Sequence, residues 1–243
     1  VTQPAPNVDE AMATEVARQL VGDPKLEIEL LSANTWTVNN AYATKMSKGR
    51  VFIMGDAAHR HPPSNGLGSN TSIQDAFNLC WKLAIVLKNQ AGSALLETYD
   101  TERAPIAKQV VTRANQSISE FGPIFEALGM TGGTDYELIK SNMDARCGTD
   151  AQAEVQRDAL NKAIAFKRYE FDAHGIEMNQ RYSSSAIVRD GQIEPSFEKD
   201  AVLHYQPTTW PGARLPHAWV FDASGRKHST LDLAGGGTFS LFT

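Results

Sequence analysis

The stretch "RVFIMGDAAHRHPPSNGLGSNTSIQDAFNLCWKLA", residues 50–84, decides the fold prediction. Its continuous apolar run at 51–54, between two glycines, predicts a strand that is buried on both faces. A loop of prolines and glycines follows, and apolar residues at three- and four-residue steps then predict a buried helix over residues 71 to about 89. This order of strand, loop and helix is typical of proteins that hold a polar ligand at the start of a helix.

The loop and the helix start supply the candidate binding groups. A helix start offers unpaired N–H groups and the positive end of a dipole, and glycine lets a ligand approach the backbone. The residues in these positions are Gly66, Gly68, Ser69 and Asn70. Their spacing is not a dinucleotide fingerprint, because its third glycine is missing, nor a Walker A loop, because no Gly-Lys-Ser/Thr follows. A loop with ordinary turn glycines is the alternative.

Gly55 and Asp56 form the turn that ends the predicted strand. A carboxylate in this position commonly accepts hydrogen bonds from ribose-like or polyol hydroxyls. An aspartate that caps a helix or stabilises a turn is an equally good interpretation of its position.

His59 and His61 form an H-x-H pair in the same stretch. In an extended chain both imidazoles point the same way, which would begin a metal site and suit a metal-dependent hydrolase. The other histidines lie far downstream, without an H-E-x-x-H motif or a recognisable carboxylate partner. Solvent-facing or hydrogen-bonding loop histidines are therefore the favoured interpretation, and no metal is predicted.

The composition indicates a chain that buries a real core and acts on small molecules. Of its 243 residues, 42% are hydrophobic and 21% are charged, and the formal net charge is -5. Because lysine and arginine are scattered, neither nucleic acid nor an anionic membrane is predicted as a partner. No apolar stretch has the length of a membrane span and no signal segment is visible, so we expect a cytoplasmic protein. Cys80 is predicted to pack in the core.

Helix and strand patterns flank the central stretch. The predicted elements are a helix in the first segment closed by Gly22, a half-exposed strand at 25–32, helices at 93–100 and 105–121, and a long helix from 150 to about 174. From Tyr182 onward, short strand-like runs alternate with turn signals at 190–191, 211–212, 224–225 and 235–237. The chain begins at Val1 without methionine and ends on "GGGTFSLFT", an alternation that predicts a strand. We therefore expect a fragment of a longer protein.

Several groups of residues in the central stretch resemble a known motif. Gly-Asp-Ala-Ala-His, Pro-Pro, Gly-x-Gly-x-Asn and Asp-Ala-x-Asn-Leu-x-Trp-Lys-Leu are similar to the second FAD-binding motif of the single-component flavoprotein aromatic hydroxylases. "YDTERAPIAKQVV" at 99–111 resembles the helix pair of that family. "YQPTTWPGARLPHAWV" and the following "STLDLAGGGTFSLFT" resemble the opening of the thioredoxin-like domain of its phenol hydroxylase branch.

The resemblance implies a mixed α/β and α+β fold, the C-terminal part of a p-hydroxybenzoate-hydroxylase-like FAD fold. The implied segments are the tail of a substrate-binding domain with a helix and antiparallel strands (1–48), the C-terminal part of the FAD-binding domain (49–121), a helical segment (122–181) and the start of a truncated thioredoxin-like domain (182–243).

The resemblance also implies roles for individual residues. Asp56 would hydrogen-bond the ribityl chain of FAD, and the carbonyl of Pro63 would line the flavin ring beside the substrate. Ser69 and Asn70 would present N–H groups to N1 and the C2 carbonyl of the flavin. Gly55, Gly66 and Gly68 belong to the same motif, and no catalytic residue is assigned.

The implied reaction is the ortho-hydroxylation of a phenol or chlorophenol with NADPH and O2. NADPH reduces FAD, oxygen adds to give a C4a-hydroperoxide, and this electrophile hydroxylates the ring. Trp36, Asn39 and Tyr42 would approach the substrate, with structural packing as the favoured alternative for each.

The chain departs from the family pattern in two respects. The G-x-G-x-x-G for the ADP part of FAD and the Asp-Gly motif are absent from these residues. We therefore expect the chain alone to bind FAD weakly or not at all. As a separate expectation, the full-length protein forms a homo-oligomer. A non-enzymatic interaction or assembly fragment is the second hypothesis, and a metal-dependent hydrolase is the third.

Overall fold

The computed structural model describes residues 8–131, 135–235 and 237–242. The other residues of the predicted segments, including part of the turn at 235–237, lie outside this description. The chain divides into two compact units, with the boundary between Asn39 and Asn40. The boundaries of the four implied segments stay a prediction.

Helix α1 (Glu10–Val21) is the regular element of the first unit. The carboxylate of Asp9 accepts a hydrogen bond from Met12 N–H at 2.8 Å and caps the helix start. Gly22 ends the helix in a left-handed conformation. The predicted helix and its glycine end are confirmed.

The strand predicted at 25–32 is wrong. The burial of side chains does alternate along this segment, because Leu26, Ile28 and Leu30 are half-buried and their neighbours are exposed. A β-strand also needs a hydrogen-bonded ladder. Among the described residues none pairs with this segment, so it runs without strand structure.

Four short strands open the second unit: β1 (Ala41–Tyr42), β2 (Ser47–Lys48), β3 (Val51–Phe52) and β4 (His59–Arg60). β1 pairs with β4 and β2 pairs with β3, both antiparallel. The predicted strand is present at Val51–Phe52, but the prediction that both of its faces are buried is wrong. Phe52 packs edge-on against Tyr99 with ring centroids 6.3 Å apart, but Val51 is 65% exposed, because no described layer covers its side of β3.

Two long helices form the frame of this unit. Helix α2 (Gly68–Leu87) begins before the predicted start at Thr71, and no side chain caps it. Helix α3 (Ala94–Ser119) runs through Pro105, where two helices were predicted. A proline inside a helix removes one hydrogen bond and strains the turn before it. Buried residues on both sides of Pro105 pack against neighbouring elements and keep the helix continuous.

Helix α2 is buried on one face only, whereas the sequence pattern predicted a buried helix. Ile73, Phe77 and Leu87 are 66%, 74% and 78% exposed, and Cys80 is exposed as well, so its predicted core packing is wrong. The buried face carries mostly polar side chains, namely Thr71, Asp75, Asn78, Leu79 and Lys82. These residues share one face by their three- and four-residue spacing, and α3 supplies partners for the charged ones.

The remaining elements are α4 (Gly122–Ala127), α5 (Tyr136–Ala145), α6 (Ala151–Phe166), α7 (Arg168–Phe171), α8 (His174–Met178), β5 (Trp219–Phe221), β6 (Lys227–Ser229) and α9 (Thr230–Leu233). The long helix predicted from 150 is thus broken at Lys167, whose buried amine donates to Ser117 C=O at 2.7 Å. The turn predicted at 224–225 is confirmed as the hairpin between β5 and β6. The described residues of "GGGTFSLFT" form no strand.

Helix α3 lies at the centre of the apolar core. One cluster joins Tyr99 to Met46, Ala58 and Leu79. The other consists of Leu67, Ile106, Val110, Ala173 and Ile176. Within the described ranges, no helix is both long and apolar enough to cross a membrane.

Candidate functional site

The turn after β3 is held tightly against helix α2. Gly55 has a φ of 56°, and a Cβ on it would lie 2.9 Å from Ser72 Oγ. Its N–H donates to Asp75 Oδ2 at 3.1 Å. The next residue, Asp56, is exposed in the short 3-10 turn Gly55–Ala57. The structure therefore places the Asp56 carboxylate at the surface on a turn whose backbone is fixed.

The loop between β4 and α2 is also fixed by hydrogen bonds. Pro63 is exposed, and its carbonyl accepts a hydrogen bond from Gly66 N–H at 3.1 Å. Asn65 has a φ of 66°, and its side chain donates to Tyr169 C=O at 2.8 Å and accepts from Ser117 Oγ at 2.7 Å. The Pro63 carbonyl thus lies at the start of a closed turn, with its position set by helix contacts.

Helix α2 starts with open backbone donors. Thr71 N–H is the first to bond along the helix, to Leu67 C=O at 2.9 Å. The N–H groups of Gly68, Ser69 and Asn70 precede that bond and point out of the first turn. No side chain caps this end and no acidic residue occupies the first turn, so the positive end of the helix dipole is not neutralised there.

A buried ion pair lies beneath the turn and the loop. Asp75 Oδ1 accepts from Arg103 Nε at 2.7 Å, and both side chains are fully buried. His59 Nε2 lies 2.8 Å from Asp75 Oδ2 and must donate, because an ionised carboxylate only accepts. Arg103 also donates to Tyr182 Oη at 2.9 Å and to Gln180 Oε1 at 3.2 Å. One carboxylate therefore joins the strand region to α3 and to the segment after α8.

A second buried ion pair lies further along the same two helices. Lys82 Nζ donates to Glu102 Oε2 at 2.7 Å, and Asn78 donates to the same oxygen at 2.7 Å. Ser184 Oγ donates to Glu102 Oε1 at 2.6 Å. Every oxygen of this carboxylate is therefore hydrogen-bonded.

These contacts set the charge states of the buried groups. Burial by itself would raise the pKa of Asp75, but the hydrogen bond from His59 and the charge of Arg103 outweigh it and lower that pKa. The pKa of Glu102 is lowered in the same way, with burial opposed by hydrogen bonds from Asn78, Lys82 and Ser184. For Lys82, burial lowers the pKa and Glu102 offsets part of the effect.

The structure corrects the interpretation of the histidines. His59 is buried and hydrogen-bonded, so its assignment as solvent-facing is wrong, whereas the hydrogen-bonding alternative holds. His61 stacks on it with ring centroids 6.4 Å apart, and its Nδ1 lies 2.7 Å from Pro62 C=O. Across the described part of the chain, no three His, Cys, Asp or Glu side chains group together to hold a metal ion.

The proposed substrate neighbours are not packed in a core. Trp36 is 65% exposed in the first unit, and Tyr42 is 38% exposed in the second. The side-chain amide of Asn39 donates to Thr37 C=O at 2.8 Å. The packing alternative is therefore wrong for Trp36, whereas for Tyr42, which is partly covered in strand β1, it stays open; the approach of these residues to a substrate stays a prediction.

Sequence reasoning missed the buried charged residues of α2 and α3. The signal was present in the sequence, because Asp75, Asn78 and Lys82 recur at steps of three and four inside the helix predicted to be buried. Glu102 and Arg103 stand in the quoted "YDTERAPIAKQVV", to which no role was given. Polar residues that repeat at helical spacing indicate a helix face whose side chains form hydrogen bonds or ion pairs with a neighbouring element.

Residues 1–114 match a family described as FAD binding domain. The matched segment includes the turn at Gly55, the loop, the start of α2 and both buried ion pairs.

The whole chain is similar to flavin-dependent monooxygenases. It is 51% identical to phenol 2-monooxygenase of Pseudomonas sp. (strain EST1001), covering 100% of this chain and 40% of that protein. It is also 51% identical to 2,4-dichlorophenol 6-monooxygenase of Delftia acidovorans, over 98% of this chain and 40% of that protein. The solved structure of the flavin-dependent monooxygenase PieE with FAD and substrate matches with a TM-score of 0.85 and 41% identity, over 97% of this chain and 41% of that one.

The chain thus spans about two fifths of the length of these relatives. The resemblance to the flavoprotein aromatic hydroxylases and the mixed helix and strand fold are confirmed. The cofactor-binding roles of the individual residues stay predictions.

Gly55→Ala is expected to destabilise the fold more than Gly49→Ala. Both glycines have a positive φ, of 56° and 62°, so alanine is strained at each by about 1 kcal/mol. A Cβ at position 49 meets no atom within 4 Å, whereas at position 55 it meets Ser72, and such overpacking adds about 2 kcal/mol. Urea unfolding of the two variants measures the difference. Equal losses of unfolding free energy would show that the Ser72 contact does not constrain the turn.

Glu102→Gln is expected to lower the unfolding free energy at neutral pH by about 2 kcal/mol, because a charged hydrogen bond to Lys82 is lost. The folded-state pKa of Glu102 lies below the ordinary 4.5, so its ionised form stabilises the fold above that pH. This contribution is lost as the pH falls through the folded-state pKa. Urea unfolding between pH 6 and pH 3 should therefore show a smaller loss of stability in the variant than in the wild type. Parallel profiles would contradict the assignment.

Proposed function

We propose that this chain is part of an FAD-dependent monooxygenase that hydroxylates a phenol ortho to its hydroxyl, with NADPH and O2. The observation that carries the proposal is the uncapped start of α2 beside a fixed Gly-Asp turn, in a segment that matches the FAD binding domain family. The names of the relatives support the phenolic or chlorophenolic substrate class.

The described residues fit a flavin. The exposed carboxylate of Asp56 is an acceptor for polyol hydroxyls, which suits the ribityl chain. The N–H groups of Ser69 and Asn70 are donors for the carbonyl and ring nitrogen of the pyrimidine edge. Gly66 and Gly68 have no side chains that would block a flavin from the start of α2. The space beside them is open, since a Cβ at Gly66 would meet no atom within 4 Å and one at Gly68 would meet only His61, at 3.8 Å and beyond. Pro63 would border the ring through its backbone carbonyl.

The helix start also suits the charge of the reduced cofactor. When bound, FAD supplies the redox chemistry that links NADPH oxidation to insertion of one oxygen atom of O2 into the phenol ring. A reduced flavin carries negative charge near its pyrimidine edge, and the positive end of α2 stabilises an anion there. The absence of acidic residues in the first turn of α2 keeps this effect unopposed.

Other parts of the proposal rest on the resemblance alone. NADPH as the reductant and a homo-oligomeric full-length protein belong to this group, whereas a cytoplasmic location is proposed from the sequence pattern. The assignment of 182–243 to a thioredoxin-like domain also rests on the resemblance; the regular elements that the described residues form near its end are the β5–β6 hairpin and α9.

The direct test uses the full-length protein. We expect it to carry FAD, with flavin absorbance in the visible range, and to oxidise NADPH faster when a phenol and O2 are present. Product analysis should find the ortho-diol, with one oxygen atom from labelled O2. Cyclohexanol, which has no activated ring, serves as the control and should give no product. A full-length protein that binds no FAD would refute the proposal.

Asp56→Asn is expected to weaken FAD binding to the full-length protein about tenfold, because a hydrogen bond to a charged acceptor is replaced by a neutral one. Asp158→Asn is the matched control, since Asp158 is an exposed aspartate on α6, outside the loop. Fluorescence quenching of FAD gives both dissociation constants. Similar values for the two variants would remove Asp56 from the site.

A further inference from the structure

Asp75 holds the two halves of the proposed flavin site in one arrangement. Its Oδ2 accepts the N–H of Gly55, the residue before Asp56, at 3.1 Å. Asp75 itself lies on α2, seven residues after Gly68, which is about two helix turns or 10 Å from the open donors. The position of the Asp56 turn relative to the donors at the helix start therefore depends on this carboxylate.

The carboxylate has no freedom to rotate. His59 Nε2 contacts Oδ2 at 2.8 Å, and Arg103 Nε contacts Oδ1 at 2.7 Å. All three side chains are at most 2% exposed. Each oxygen faces only donors, so the carboxylate orientation that receives Gly55 N–H is the one that all its partners require.

We propose that Asp75 is a positioning residue for the flavin, which it orients through Gly55 without touching it. The inference rests on the proposed FAD binding described above. Arg103 is the counterion that keeps Asp75 charged and oriented. Because Arg103 also donates to Gln180 and Tyr182, the same ion pair ties the cofactor loop to the segment that follows α8.

Asp75→Asn tests this role because an amide cannot replace the carboxylate. Asparagine has one acceptor oxygen, so its NH2 group must face either Arg103 or the donors of Gly55 and His59. In each orientation a buried donor loses its acceptor. When the NH2 group faces Gly55, the turn loses its anchor and should move relative to α2; when it faces Arg103, the guanidinium that holds residue 75 in place loses its acceptor, which loosens the same contact.

The second ion pair supplies the matched control. Glu102 joins the same two helices, is buried, and is paired with Lys82 at 2.7 Å. Its partners are Asn78, Lys82 and Ser184, and none of them belongs to the turn at Gly55 or the loop before α2. Glu102→Gln removes the same buried charge from the helix pair without reaching the proposed site.

The experiment compares both variants with wild type as full-length protein. We expect Asp75→Asn to weaken FAD binding about tenfold, by analogy with groups that orient ligands elsewhere. Its flavin midpoint potential should shift, and hydrogen exchange of the Gly55 amide should accelerate. In Glu102→Gln, FAD affinity, midpoint potential and Gly55 exchange should stay at wild-type values. Equal changes in the two variants, or wild-type values in Asp75→Asn, would overturn the inference.

Two further arms keep the outcome unambiguous. If Asp75→Asn does not fold, Arg103→Lys replaces it, since lysine keeps the counterion charge but not the guanidinium geometry. Smaller changes of the same three quantities are then expected, and wild-type values would overturn the inference. Gly55 exchange is measured without FAD, so it tests the coupling even if the wild-type protein binds no flavin, a result that would refute the proposed function instead.

Discussion

The ion pair between Asp75 and Arg103 is the interaction on which the second unit depends. Burying two charges costs several kcal/mol per ion, and geometry and further hydrogen bonds must offset that cost. Here the offset comes from His59, from Gly55 N–H and from the partners of Arg103 near residues 180–182. Each partner lies in a different part of the chain. Satisfying the pair therefore brings the short strands, both long helices and the segment after α8 together.

The need to pair buried charges also explains which face of α2 is turned inward. A helix with apolar residues around most of its circumference can face a core in several ways, and hydrophobicity alone does not choose among them. Charged side chains on one face do choose, because a buried charge without a partner is far more costly than an exposed apolar side chain. Asp75 and Lys82 thus face Arg103 and Glu102 on α3, while Ile73 and Phe77 are left at the surface.

The candidate site consists mainly of backbone groups mounted on this frame. N–H donors at a helix start, a carbonyl at a closed turn and one exposed carboxylate suit a ligand with a polar edge and a hydroxylated chain. Such groups carry specificity only if they are held in fixed relative positions. The buried network provides that, and it does so with residues that are distant from the loop in sequence, such as Arg103.

The sequence by itself determined the resemblance to the flavoprotein aromatic hydroxylases and the helical nature of residues 71–87, because a local motif with particular residue types specifies a turn and a helix start. The helix at 10–21 and its glycine end were also readable, since capping depends on neighbours in sequence. Only the tertiary structure decided that 25–32 lacks a strand partner, that Val51 is exposed, that α3 continues through Pro105 and that α2 turns its polar face inward. Each of these depends on residues far apart in the chain, because strand pairing, burial and charge compensation are properties of contacts and not of local pattern.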